Sequence, residues 1–209
     1  MTGLGLWDAY DVCVGSDIHE TYVIELGVAA MEKPEVQEAM KRELQNMVDY
    51  QVFGEKVKAR PGMNIVGTRF VYTQSEAQDG QKTKFKSRLV CHGFAENERP
   101  QSDSPTANWE SLRLFLAISA SLGLENLCSI DVSADFLQAE KLHRDVYVKL
   151  PKFVNPDESV VYKLEKLLYG LSDAGRQYWL KLKKILKEDG FVSTLGDECF
   201  YRKYDSQGN

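Results

Sequence analysis

The spacing of hydrophobic and polar residues predicts a mixture of helices and strands after a featureless start. Helical spacing predicts amphipathic helices that begin at Pro34, Trp109 and Arg176. The packing face of the first would consist of Val36, Met40, Leu44, Met47 and Val48, with Glu43 outside it, and that of the second would consist of Leu112, Phe115, Leu116 and Ser119. Alternation with period two predicts strands over 64–73, 82–90, 146–150 and 160–164. Residues 1–33 show no clear period, which indicates a lead-in or linker. Both element types together predict an α+β fold.

A further strand over 127–133 would present a carboxylate near its end. Alternation places Ser129, Asp131 and Ser133 on the polar face of this strand, and Asp135 and Phe136 follow it. A carboxylate fixed by a strand backbone can hold a divalent metal ion. The alternative is an ordinary strand end with two solvated aspartates, and these residues by themselves favour that alternative.

The strand over 82–90 carries four cations at every second position. Lys82, Lys84, Lys86 and Arg88 would line one of its faces. Such a face could bind phosphates or a nucleic-acid backbone. It could equally be an edge strand that lysines protect against aggregation. The strand alone leaves both interpretations open.

Composition narrows the class of protein without identifying a site. The chain has 209 residues, of which 43% are hydrophobic and 27% are charged, as in ordinary globular proteins. The net charge of −5 gives no general support for nucleic-acid binding. The four cysteines show no CxxC spacing, which indicates reduced intracellular thiols. No apolar run approaches the length of a membrane span, so we expect no membrane partner.

Six stretches, in order, resemble the reverse transcriptase of copia-type retrotransposons. Residues 84–94 resemble that family's KARLVARGF segment, and residues 129–137 resemble its first catalytic motif, DVxxAFL. Residues 145–151 resemble its VYMxxP strand, and residues 163–176 resemble KLxKSLYGLKQAPR. The passages 104–113 and 189–200 also match. One such motif is weak, but six in sequence are specific.

The resemblance implies a right-hand polymerase with fingers and a partial palm, built on an antiparallel sheet with packing helices. Residues 1–33 would be a lead-in or linker, 34–125 a fingers-like region, and 126–209 a partial palm that ends before the paired-Asp motif. The complete domain would bind an RNA or DNA template–primer and a deoxynucleoside triphosphate, with Mg²⁺ or Mn²⁺. It would act inside the cell, in cytoplasmic virus-like particles or in the nucleus.

The same resemblance assigns roles to six residues. Asp131 corresponds to the catalytic aspartate that binds metal, in a two-metal nucleotidyl transfer. Phe136 corresponds to the ring that rejects a 2′-hydroxyl. The remaining four residues would, like Phe136, bind substrate: Lys86 and Arg88 the triphosphate, and Tyr169 and Gly170 the nascent base pair.

The chain also departs from the family pattern. Asp135 stands where the family has Ala, and Gly175 stands where it has Pro. No paired Asp-Asp motif occurs before the last residue, Asn209. We therefore expect this chain not to extend a primer by itself. Two alternatives remain at this point: a non-catalytic nucleic-acid-binding module or inert remnant, and an unrelated α+β protein that matches by chance.

Overall fold

The structure is a computed structural model that describes residues 10–13, 23–75, 84–98, 100–124, 127–132 and 141–204. The chain divides into two compact units. We call residues 17–102 and 136–174 the sheet unit, and residues 1–16, 103–135 and 175–209 the helical unit. Each unit is described by itself.

Ten strands and three α-helices occur in the part of the chain that the structure describes. The strands are β1 (Tyr10–Cys13), β2 (Val23–Leu26), β3 (Phe53–Lys58), β4 (Ile65–Ser75), β5 (Lys84–Cys91), β6 (Ser129–Val132), β7 (Tyr147–Lys149), β8 (Val160–Leu164), β9 (Val192–Ser193) and β10 (Tyr201–Arg202). The helices are α1 (Pro34–Asp49), α2 (Trp109–Ser121) and α3 (Ala174–Glu188). Short 3-10 helices lie at Val28–Glu32 and Gly93–Ala95. The predicted mixture of helices and strands is confirmed.

Strand β4 organises the sheet unit. It pairs with β5 along 68–75, and β2 pairs with the end of β4 on the opposite side. The start of β4 pairs with β7, and the sheet continues through β8 to β3. The β4–β7 pair is parallel, so the sheet is mixed and the prediction of an antiparallel sheet is wrong for this pair. Parallel pairing needs a long crossover, which the chain between β4 and β7 supplies.

Alternation along β4 and β5 buries one face of the sheet. Val66, Phe70 and Tyr72 of β4 are buried, as are Leu89 and Cys91 of β5. Phe70 and Leu89 are direct partners across the two strands. Burial of such side chains stabilises the unit by about 1.5–3 kcal/mol each. The strands therefore form where the period-two pattern predicts them, because one face enters the core.

Helix α1 begins at Pro34, as predicted, and contacts β5. Proline suits the first turn because its missing N–H needs no partner there. Val36 and Met47 are buried on its inner face, but Val48, predicted for this face, is 65% exposed. Glu43 was expected outside and is instead buried, because its carboxylate accepts a hydrogen bond from the sheet.

The hydrophobic pattern predicts no element before residue 34, yet β1, β2 and a 3-10 helix lie there. These strands are only four residues long, too short for alternation to stand out. Strand β3 was also missed, since Gly54 and three charged residues interrupt its pattern. Pairing with β8 stabilises β3 where its own composition does not.

In the helical unit, β6 pairs with β1, β9 pairs with β10, and α2 and α3 accompany them. The buried carboxylate of Asp197 accepts from the amide of Asn108, the residue before α2, over 2.8 Å. On the predicted packing face of α2, Ser119 is buried, whereas Leu112, Phe115 and Leu116 remain 42–48% exposed. None of the described helices combines the length and the apolar character that a bilayer span requires.

Candidate anion-binding site

Strand β5 presents three cations on one face, as its alternation predicts. Lys84, Lys86 and Arg88 are exposed, whereas Ser87 and Leu89 between and after them are buried. The fourth predicted member, at position 82, lies outside the described residues. The exposed face is therefore a compact positive surface on a rigid strand, of the kind that attracts phosphate groups.

The outer edge of β5 is covered at two of its N–H groups. The Leu89 amide donates to Glu43 Oε1 over 3.1 Å, and the Cys91 amide donates to the Tyr169 carbonyl oxygen over 2.7 Å. Burial raises the pKa of Glu43, although the Leu89 amide and Arg88 oppose this shift. A covered edge does not need lysines to deter pairing. This weakens the edge-protection interpretation at the end of β5 that carries Arg88.

A tight turn containing Tyr169 and Gly170 packs against the end of β5. The Gly93 amide donates to the Gly170 carbonyl oxygen over 3.1 Å. Gly170 has a φ of +85°, and a Cβ there would overlap the carbonyl oxygen of Cys91. A Cβ at Gly93 would likewise overlap the carbonyl oxygen of Gly170. Only glycines allow the two backbone segments to come this close.

This turn brings the Tyr169 ring to the cationic face of β5. The Arg88 guanidinium lies 5.7 Å from the ring centroid, within cation–π range. Tyr169 is half-buried, Gly170 is exposed, and Lys86 stands two residues before Arg88 on the same strand face. Four of the predicted substrate-binding residues thus belong to one surface, which we call the β5–turn surface (Lys86, Arg88, Tyr169 and Gly170).

The structure describes the other two predicted site residues, catalytic Asp131 and substrate-binding Phe136, only in part or not at all. Asp131 lies in β6, as predicted, one residue before its end, and its register partner is Asp11 of β1. The Asp131 side chain and all of Phe136 lie outside the described part of the structure. Among the residues that are described, no three His, Cys, Asp or Glu side chains gather to hold a metal ion. The metal role of Asp131 therefore stays a prediction.

Sequence patterns did not predict a buried ionic cluster that contacts the turn. Arg144 donates to Glu96 over 2.5 Å and to Asp173 over 2.6 Å. Burial acts to lower the pKa of Arg144, but its pairing with Asp173 and Glu96 outweighs that effect and raises the pKa. The partners lie 48 and 29 residues away along the chain, so no local spacing could reveal them. We call Glu96, Arg144 and Asp173 the ionic cluster.

Comparison with known proteins supports the family resemblance. The sequence model of the family described as reverse transcriptase (RNA-dependent DNA polymerase) matches residues 50–209. The chain is 29% identical to a retrovirus-related Pol polyprotein from transposon TNT 1-94 of Nicotiana tabacum, over 93% of the chain and 15% of that protein.

Two polyproteins of Arabidopsis thaliana are also similar. The retrovirus-related Pol polyprotein from transposon RE1 is 34% identical over 66% of the chain, and that from RE2 is 29% identical over 83%. The chain spans 10–15% of the length of these three relatives, and no solved structure matches it. Since the family's sequence model covers well over half of the chain, the chain belongs to the reverse transcriptase (RNA-dependent DNA polymerase) family, in the form found in copia-type retrotransposons.

Proposed function

We propose that this chain binds an RNA or DNA template–primer and a deoxynucleoside triphosphate, as part of an RNA-directed DNA polymerase domain. The observation that carries the proposal is the contact of Arg88 with the Tyr169 ring, 5.7 Å apart on the β5–turn surface. A triphosphate held by Lys86 and Arg88 would lie beside an aromatic ring and the exposed backbone of Gly170. Cations next to an aromatic surface suit a ligand that has both phosphates and a base.

The exposed position of Lys86 and Arg88 also suits reversible binding. Their charges are presented from a strand, so the backbone fixes their spacing before the ligand arrives. Arg88 can offer two parallel donors to a phosphate, while Lys86 acts as a point charge. The Tyr169 ring restrains the guanidinium, which lowers the entropy lost when phosphate binds.

The proposal also gives Asp131 a catalytic, metal-binding role and Phe136 a substrate-binding role. Reverse transcriptases generally use divalent metal ions, and we assign Mg²⁺ or Mn²⁺ to the Asp131 carboxylate. An ion held by Asp131 would supply Lewis-acid activation of the primer 3′-hydroxyl and charge stabilisation of the leaving pyrophosphate. Phe136 would exclude a ribose 2′-hydroxyl by its bulk. We assign 34–125 to a fingers-like region, 126–209 to a partial palm and 1–33 to a lead-in. The complete domain is expected in cytoplasmic virus-like particles or in the nucleus.

The salt dependence of duplex binding tests this proposal. The full chain is titrated with a DNA primer annealed to an RNA template at several salt concentrations, and log Kd is plotted against log salt. Neutralisation of both cations, by Lys86→Gln with Arg88→Gln, is expected to flatten the slope by roughly 0.9 for each phosphate that the variant no longer binds. Lys56→Gln with Lys58→Gln is the matched control, because both residues are exposed on β3 and have the same spacing.

The outcomes separate the candidate functions. A slope that is flattened by the two β5 substitutions but not by the two β3 substitutions supports phosphate binding on the β5–turn surface. Equal flattening by the β5 and the β3 substitutions would mean that only the net charge of the chain affects duplex binding. An unchanged slope would support the interpretation that the β5 cations protect a strand edge. No binding at any salt concentration would indicate an inert remnant.

A further inference from the structure

The ionic cluster contacts the turn that carries Tyr169, yet the proposed function gives it no role. We propose that Arg144 is a positioning residue, which holds the 169–173 turn where the Tyr169 ring meets Arg88. The consequence for nucleotide binding rests on the proposed function. The effect of Arg144 on the turn itself does not depend on that function.

Arg144 joins two carboxylates that come from distant parts of the chain. Its Nη1 donates to Glu96 Oε2 over 2.5 Å, and its Nη2 donates to Asp173 Oδ1 over 2.6 Å. The side chain of Glu96 is fully buried, and that of Asp173 is 3% exposed. Buried carboxylates are stable only when paired and hydrogen-bonded. The guanidinium therefore allows these two charges to lie close together.

Glu96 links the cluster to the turn through its other oxygen. Its Oε1 accepts from the Ser172 amide and from the Ser172 hydroxyl, each over 2.8 Å. Asp173, the next residue, is bound to Arg144. The cluster thus holds two consecutive residues at the C-terminal side of the turn.

The N-terminal side of the turn is held by the backbone of the β5 end. The amides of Cys91 and Gly93 donate to the carbonyl oxygens of Tyr169 and Gly170 over 2.7 and 3.1 Å. These two bonds can form only while the turn stays in place. Because the ionic cluster fixes the other side, it determines whether the Tyr169 ring stays beside Arg88.

Removal of the Arg144 charge would take away the cation that both buried carboxylates share. Like charges in a buried site separate or take up a proton. Asp173 belongs to the turn, whereas Glu96 follows the 3-10 helix at the end of β5. Separation of the two carboxylates would therefore move the turn away from β5 and break the two backbone hydrogen bonds.

Amide hydrogen exchange tests this step without any ligand. In the full chain with Arg144→Gln, exchange at the Cys91 and Gly93 amides is expected to accelerate about tenfold or more. The Leu89 amide is an internal control, because it donates to Glu43 and not to the turn. Arg144→Lys should restore part of the protection, since one ammonium keeps the charge but cannot bridge both carboxylates.

Nucleotide affinity tests the consequence. With dTTP as the probe and an adenine-templated duplex present, Arg144→Gln should raise the Kd about fivefold. In an Arg88→Gln background the same substitution should have no further effect, because Arg144 acts through the Arg88–Tyr169 contact. Lys163→Gln is the control, since it removes a partly exposed ion pair with Asp145 and should change neither the amide exchange nor the Kd for dTTP.

The outcomes distinguish the two proposals. Selective acceleration at Cys91 and Gly93 supports the positioning role, whereas equal acceleration at Leu89, or no acceleration, overturns it. Selective acceleration with an unchanged Kd for dTTP would overturn the link to nucleotide binding. If the unsubstituted chain binds no dTTP, the proposed function fails, and the exchange pattern still decides the role of Arg144 in the turn.

Discussion

The close approach of Gly170 to β5 gives a prediction whose size can be worked out from the structure. Gly170 has a φ of +85°, and a Cβ there would overlap the Cys91 carbonyl oxygen and the Val90 side chain. Gly170→Ala is therefore expected to destabilise the sheet unit in two ways. It strains the backbone at Gly170, and it pushes the turn away from β5.

Gly62 separates these two effects. Its φ is +87°, almost the same as that of Gly170, but a Cβ there would have no atom within 4 Å. Gly62→Ala should therefore cost only the left-handed backbone strain, about 1 kcal/mol. Gly170→Ala should cost that plus the two backbone hydrogen bonds that hold the turn, about 3 kcal/mol in total.

Differential scanning calorimetry of both variants measures the difference. In a chain of this size about 1 kcal/mol corresponds to a shift of about 2–4 °C in the unfolding midpoint. Gly170→Ala should therefore lower the midpoint about 4–8 °C further than Gly62→Ala does. Equal shifts for the two variants would refute the close approach of the turn to β5.

Three further predictions follow from burial and charge. Burial raises the pKa of Glu43 above its ordinary 4.5, so the folded state binds a proton more tightly than the unfolded state does. The free energy of unfolding therefore falls as pH rises from this ordinary value to the raised pKa. Glu43→Gln should remove that fall in denaturation curves measured at several pH values, and an unchanged pH profile would contradict this prediction. Met47→Ala should lower the free energy of unfolding by about 2–5 kcal/mol because Met47 is fully buried, whereas Val48→Ala next to it should change it by no more than about 0.5 kcal/mol. Similar losses for the two variants in urea denaturation would contradict the orientation of α1 on the sheet. The purified 209-residue chain should not extend a primer with Mg²⁺ or Mn²⁺, because its sequence has no paired Asp-Asp motif to join Asp131, and extension that Asp131→Asn abolishes would refute this.

Local patterns predicted the elements whose signals are local. Pro34 marks the start of α1, and the period-two pattern gave β8 with both of its ends, Val160–Leu164. The exposed cations of β5 were also predictable, because alternation in a strand with one buried face determines which side chains face outward. The resemblance to a family assigned both the β5 cations and Tyr169 to substrate binding, which no local pattern indicates for Tyr169.

Contacts between distant parts of the chain were not predictable from these patterns. The parallel pairing of β4 with β7 depends on a crossover whose direction no local spacing encodes. Glu43 looks like a surface residue of an amphipathic helix until its carboxylate meets the Leu89 amide. The ionic cluster was not predicted for the same reason, since Arg144 pairs with Glu96 and Asp173, which are distant from it in the sequence.

The most direct test of the central claim is to map where a deoxynucleoside triphosphate binds. A triphosphate with a photoreactive group on its γ-phosphate is crosslinked to the full chain in the presence of a primer–template, and the labelled peptides are sequenced. The label is expected in β5 or in the 169–173 turn, and Lys86→Gln with Arg88→Gln should reduce it strongly. Labelling confined to other segments, and unchanged in that double variant, would contradict the account.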